Sequence, residues 1–269
     1  MSTDSIGVSG GRRSAAGEDR SGLIERYEAV RARVAAAAAK SGRDASRVVL
    51  IAVTKYAELD DIRELAAHGH RDFGENRVQQ LTQRAAMVDE WVRRRQTIES
   101  LVADAPEVPR WHMIGHLQRN KAKQVAEAVR LIHSVDSLRL AEELQAVGLK
   151  RERVIDVLIQ VNVSQEESKF GCPVPAAEAL ADSIESMAYL RCRGLMTMAP
   201  HSDEPEDARP HFSRLRDLHE DMAKQGYAEG AFNILSMGMS GDFEVAIEEG
   251  ANLVRVGSSI FGAKPEPTA

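Results

Sequence analysis

From Arg47 onward the sequence changes hydrophobic period again and again. The run Arg47-Val-Val-Leu-Ile-Ala-Val53 is β-branched and almost uninterrupted, as in a strand covered on both faces. Asp60–Ala67 then returns to helical spacing and halts at Gly69. Strand-type segments recur at Asp72–Gly74, Trp111–Ile114, Leu131–Val135, Val154–Val163, Arg191–Met198, Phe232–Leu235 and Leu253–Val256, which makes eight with the first. Helical segments separate them at Arg77–Arg94, Lys121–Val129, Leu138–Val147, Ala176–Met187, Pro210–Lys224 and Phe243–Glu249. This alternation dictates right-handed βαβ units and a parallel sheet. Ahead of it, Leu23, Tyr27, Val30, Val34 and Ala38 form the apolar face of an added N-terminal helix, with Gly42 as its C-terminal cap.

Length decides how such a sheet ends. The chain has 269 residues, and its first 20 hold four Gly and four Ser, the composition of a disordered leader. About 249 residues remain, close to the ~250 of one (β/α)8 barrel of the TIM type. The expected organisation is a leader over 1–20, a single α/β barrel over 21–264 and a frayed tail over 265–269. An open doubly wound sheet is the alternative, but it announces itself by a Gly-rich turn after the first strand. Here that strand runs out through Val53-Thr-Lys-Tyr56, without glycine.

Composition removes several function classes. The net charge is −6 with both signs spread along the chain, which argues against a dedicated nucleic-acid binder. Apolar residues make up 43% of the chain, enough to fill a core of this size. The longest strongly apolar run, Val48–Val53, is far short of a membrane span, and Arg12 and Arg13 precede no apolar signal segment. Cys172 and Cys192 form no CxxC pair, so neither a disulfide scaffold nor a structural zinc site is supported, and a reducing cytoplasm fits best. No long apolar seam demands a partner copy, and a monomer is expected.

Chemistry in these barrels gathers at the C-terminal ends of the strands, with phosphate often held after strands seven and eight. Ser236-Met-Gly-Met-Ser-Gly241 follows the seventh strand and Gly257-Ser-Ser259 the eighth. Glycines let backbone N–H groups approach an anion, and serines add donors. Ordinary turn chemistry explains one such loop easily, but two at adjacent expected positions point to a phosphate. Lys55 ends the first strand, which neighbours the eighth in a closed barrel. Desolvation and nearby cations lower a lysine's pKa and free its amine for Schiff-base formation. A carbonyl compound bearing a phosphate is the natural ligand. Arg255 interrupts the apolar Leu253-Val-Arg-Val256, so it is either paired with a carboxylate such as Glu244 or Asp242 or faces the ligand. His112 and His116 have i, i+4 spacing, but Gly115 between them breaks a helix and a metal pair is not expected. His68 and His70 sit at a helix end, where the dipole explains them. Met196, Met198, Met237 and Met239 read first as core filler.

Ordered blocks then carry a family resemblance. Val53-Thr-Lys55, Phe73-Gly-Glu-Asn-Arg-Val78, Trp111-His-Met-Ile-Gly-His-Leu-Gln-Arg-Asn-Lys121 and His133-Ser-Val-Asp136 resemble successive motifs of the pyridoxal phosphate homeostasis proteins. Gln160-Val-Asn-Val163, Lys169-Phe-Gly171, Gly194-Leu-Met-Thr-Met198, Ser236-Met-Gly-Met-Ser240, Arg255-Val-Gly257 and Ile260-Phe-Gly262 continue the likeness, from about Leu23 to Lys264. The resemblance implies an alanine racemase-like barrel in the cytoplasm that holds pyridoxal 5′-phosphate as an aldimine on Lys55. It further implies that Arg255 contacts the pyridine nitrogen. Ser236, Ser240, Gly257 and Ser258 would hold the phosphate with Met237 at its rim, and Asn76 and Met196 would line the pocket. Thr54 and Tyr56 depart from the usual Ser and Thr, and Tyr56 could alter what reaches the exposed face.

The reaction class stays open between two readings. An arginine beside the pyridine nitrogen disfavours its protonation and weakens the electron sink. Racemisation survives that handicap only with acid/base groups on both substrate faces, which racemases of this fold complete from a C-terminal β-domain. The sequence ends at Ala269 without one, and Tyr56 is the candidate second base. A non-catalytic carrier and regulator is therefore expected, whose partners are the cofactor and the apoenzymes or amino acids that exchange it. The alternatives are a cofactor-dependent racemase or lyase, and an aldolase-like barrel acting on a sugar phosphate.

Overall fold

The computed structural model describes residues 22–98, 106–166 and 169–262. The leader expected over 1–20 and the tail over 265–269 lie outside the described residues. The strands are β1 (Val49–Val53), β2 (Asp72–Glu75), β3 (Arg110–Met113), β4 (Leu131–Val135), β5 (Ile155–Asn162), β6 (Cys172–Pro173), β7 (Leu190–Met196), β8 (Ile234–Ser236) and β9 (Leu253–Val256). All pairings are parallel, in the order β1, β2, β3, β4, β5, β7, β8, β9, and β9 returns to β1. The eight expected segments thus close a barrel. The two-residue β6 adds to the edge of β5, and its Cys-Pro sequence carries no strand signal.

The helices α1 (Leu23–Lys40), α2 (Leu59–Ala67), α3 (Val78–Ile98), α4 (Ala122–Ala128), α5 (Leu138–Arg151), α6 (Ala177–Glu185), α7 (Arg209–Ala223), α8 (Phe243–Glu248) and α9 (Ser258–Phe261) surround it. Two apolar layers result from the period-two alternation of strand side chains. Ile51, Leu131, Leu158, Met196 and Leu253 pack inside the barrel, while Phe73, Trp111, Phe212 and Phe243 pack between strands and helices. Among the described residues no helix is long and apolar enough to cross a membrane.

The added helix α1 braces the elements that carry the serine loops. Arg33 pairs with Glu244 at 2.6 Å and Lys40 with Glu248 at 2.6 Å, both acids lying on α8. Arg26 Nε donates to the carbonyl of Ile260 in α9 at 2.8 Å. At the other end of the bracing, His70 is buried and not merely a helix-end dipole partner. Its Nε2 donates to the carbonyl of Asp72 at 2.8 Å, so its Nδ1 accepts from the Tyr27 hydroxyl at 3.0 Å.

Burial pushes both His70 and His219 down to about 4, and His133 well below the ordinary histidine value of 6.5. These rings are neutral in the fold, whereas the unfolded chain takes up their protons near the ordinary value. The unfolded state therefore binds more protons between about 6.5 and 4, and acid favours it. Urea-unfolding stability should be level near pH 7 and fall as the pH drops through that window. His70→Gln and His219→Gln should each flatten the fall; an unchanged slope in both would refute the assignment.

Candidate functional site

The C-terminal ends of the strands open into a cavity of about 720 Å³. Lys55, Tyr56, Asn76, Ser240, Arg255, Gly257 and Ser258 are among its walls. Lys55 stands just beyond β1, exposed at the rim, with Nζ 4.8 Å from the centre of the Tyr56 ring. A buried clamp sets the turn that carries it. Glu75, at the end of β2, is fully buried and pairs with Arg84 of α3 at 2.6 Å. The Thr54 hydroxyl donates to the same carboxylate at 2.7 Å, and Arg84 also donates to the carbonyls of Thr54 and Ala57. The other carboxylate oxygen accepts the backbone N–H of Asn76 at 3.1 Å. One ion pair therefore ties the Lys55 turn to the Asn76 turn. Gly115 is needed beside it, because a Cβ there would overlap the backbone of Asn76.

The serine loops meet on the opposite wall. Ser240 Oγ accepts the N–H of Gly257 at 3.2 Å, which joins the loop after β8 to the end of β9. A Cβ on Gly257 would sit 3.1 Å from the Val53 carbonyl oxygen, so glycine lets β9 end close against β1. The backbone N–H groups of Ser240, Gly241 and Ser258 have no protein acceptor among the described residues. Unpaired donors with two seryl hydroxyls on one cavity wall fit an anionic group such as a phosphate. Asp242 beside them is pushed up by burial, and its carboxylate accepts the Met239 N–H at 2.5 Å.

Arg255 lies at the deep end. It is 3% exposed, and burial pulls it down to about 10, still a cation at neutral pH. Its Nη1 donates to Ser236 Oγ at 2.5 Å and its Nη2 to the carbonyl of Thr197 at 2.8 Å. No carboxylate of the described residues lies within ion-pair distance. Glu244 is taken by Arg33, and Asp242 acts on Arg255 only through the longer-range field.

Other expected residues are placed differently. The Ser236 hydroxyl is fully buried against Arg255 and His133, away from the cavity wall. Met196 packs inside the barrel and Met237 in the outer layer, and neither lines the cavity. His112 and His116 diverge: His112 is buried, while His116 stacks on Phe170 at the mouth, ring centres 4.2 Å apart. Glu75, Arg84, Thr197 and His133 were assigned no part by sequence reasoning. The expected strand stopped at Gly74 and the observed one runs to Glu75, so the signal of a charged residue inside a strand went unread.

The profile described as "Alanine racemase, N-terminal domain" matches residues 26–265. A protein of Aquifex aeolicus named pyridoxal phosphate homeostasis protein is 38% identical over 240 residues, covering 89% of this chain and 97% of its own. The chain belongs to the pyridoxal phosphate homeostasis protein family. Among solved structures, an unknown protein from Bifidobacterium adolescentis is 36% identical with a TM-score of 0.82, over 91% of this chain and 96% of its own. PipY of Synechococcus elongatus, solved with PLP bound, is 30% identical with a TM-score of 0.69, over 89% and 100%. The family barrel is thus present over nearly the whole of both proteins.

The clamp at Glu75 predicts a measurable loss. Arg84→Met strands a buried carboxylate and should cost about 3–5 kcal/mol in urea unfolding. Arg84→Met combined with Glu75→Gln should recover much of it, because the orphaned charge is gone. A single variant as stable as the wild type would show that the pair does not hold the turns.

Proposed function

We propose that this chain binds pyridoxal 5′-phosphate in the cavity at the barrel mouth and carries it for other proteins, without turning over a substrate of its own. The observation that carries the reading is the convergence on one cavity of an amine, unpaired backbone donors and a buried cation. The names of the relatives support it, as does PLP bound to PipY. When bound, the group supplies an aldehyde that condenses with an amine and an aromatic ring nitrogen that accepts a hydrogen bond.

Lys55 offers the amine, Ser240 and Ser258 offer the phosphate donors, and Gly257, whose N–H is taken by Ser240 Oγ, shapes the wall between them. Asn76 borders the pocket beside them. Arg255 directs its charge at the ring-nitrogen end and opposes a proton there, which weakens carbanion chemistry and favours carriage over catalysis. Ser236 acts through Arg255, and Met196 and Met237 act through packing. A cytoplasmic monomer that exchanges its cargo with apoenzymes or amino acids belongs to this proposal, and the free, buried Cys172 and Cys192 fit a reducing compartment. Tyr56 beside Lys55 is the one feature favouring a racemase or lyase. Exchange of amino-acid α-hydrogens in deuterated water separates that reading from a carrier.

The purified protein should show a visible absorption band that borohydride removes, and Lys55→Ala should lack both band and adduct. A wild type without a reducible chromophore would sink the proposal. Ser240→Ala or Ser258→Ala should weaken cofactor retention by ~1.5–3 kcal/mol, the range for a hydrogen bond to a charged group. Equilibrium dialysis reads that loss, and full retention in both variants would move the phosphate elsewhere.

A further inference from the structure

Arg255, Ser236, His133, His112 and Asp72 form one hydrogen-bonded file across the inside of the barrel, and all five are buried. It starts on β9 and passes through β8, β4 and β3 to β2. The separations are 2.5 Å from Arg255 Nη1 to Ser236 Oγ, 3.0 Å from Ser236 Oγ to His133 Nδ1 and 3.1 Å from His133 Nε2 to His112 Nδ1. His112 Nε2 then lies 3.1 Å from Asp72 Oδ1, and Arg110 pairs with the other oxygen of Asp72.

We propose that this file is a one-way hydrogen-bond relay that fixes both histidines as Nε2–H tautomers and makes Ser236, His133, His112 and Asp72 positioning residues for Arg255. The two ends dictate the direction. A guanidinium only donates and a carboxylate only accepts. Ser236 Oγ therefore accepts from Arg255, and its own hydrogen has one remaining partner, His133 Nδ1, among the described residues. A neutral ring that accepts at Nδ1 carries its proton at Nε2, so His133 donates to His112 Nδ1. By the same step His112 carries its proton at Nε2 and donates to Asp72. The reversed arrangement would leave the Ser236 hydrogen buried and unsatisfied.

Burial and the Arg255 charge hold His133 well below the ordinary histidine range, which agrees with a neutral ring. In the low-dielectric interior each bond of such a file polarises the next. The file thereby connects the Arg255 cation, which has no carboxylate beside it, to the buried carboxylate of Asp72. The guanidinium is held in one orientation, facing the cavity with its remaining donors. The tautomers follow from the protein alone, whereas the effect on a cofactor ring rests on the binding proposed above.

Two measurements test the relay. Two-bond ¹H–¹⁵N spectra of the cofactor-free chain, labelled in histidine, report which nitrogen of each ring is protonated. Both His133 and His112 should show a protonated Nε2 and a bare Nδ1 at neutral pH. A proton on His133 Nδ1, or two on either ring, overturns the relay. Ser236→Ala should then disturb the His133 nitrogen signals and shift the visible band of the cofactor-loaded protein, and Ser236→Thr should restore both. A band unmoved by Ser236→Ala would overturn the positioning of Arg255. Because the nitrogen spectra need no cofactor, the relay fails separately from the binding proposal.

Discussion

Arg255 places a full positive charge inside a packed parallel barrel, and the interior around it is arranged to hold that charge without neutralising it. An isolated buried ion is costly, and the usual remedy is an adjacent carboxylate. Here the guanidinium meets a carbonyl and a hydroxyl, at Thr197 and Ser236, and the nearest buried carboxylate in its hydrogen-bonded file is Asp72, beyond Ser236, His133 and His112. Direct pairing would have turned the donors of Arg255 toward an acid and away from the cavity. Carbonyl and hydroxyl partners orient the group and leave its charge expressed toward the cavity.

A second buried charge pair does different work at the rim. Glu75 and Arg84 are partners in direct contact, and they hold backbone: the turn after β1, the turn after β2 and the carbonyl of Ala57. The clamp is a construction joint between two βα units, and its energy goes into placing Lys55 and Asn76. The brace from α1 has the same role for the opposite wall, since Arg26, Arg33 and Lys40 reach the elements that follow the serine loops. The relay, the clamp and the brace therefore surround one cavity, each fastened by charge to a different set of elements.

The fold was legible because its signals are periodic. Runs such as Leu131–Val135 and Leu253–Val256 coincide with β4 and β9, and Gly250 and Gly257 mark the turns around the second. β6 escaped because two residues carry no period. That Lys55, Ser240, Gly257 and Ser258 line the cavity was legible because strand ends and serine-glycine loops have fixed places in a barrel of this kind. The placement of Ser236 was not: a hydroxyl at a strand end reads as a phosphate donor until His133, 103 positions away in sequence, is found at 3.0 Å. Met196 and Met237 were drawn to the cavity by their motifs, but strand alternation turns them into the inner and outer layers. Side-chain direction at a strand end depends on register, and register is a property of the closed sheet.

The distribution of exposure across the cavity bears on what such a site is for. Lys55, Asn76 and Ser258 are exposed, whereas Arg255 and its partners are buried. A catalytic pocket gains by excluding water at the reacting groups, since electrostatic stabilisation strengthens when solvent leaves. A carrier has the opposite need at its rim, because release requires water or another amine to reach the point of attachment. A fixed, dry deep end combined with a wet amine and a wet serine rim would satisfy both demands of carriage. Under the binding proposed above, Arg255 would identify the ring from the deep end, and the open end would keep a linkage at Lys55 accessible to whatever accepts the cargo.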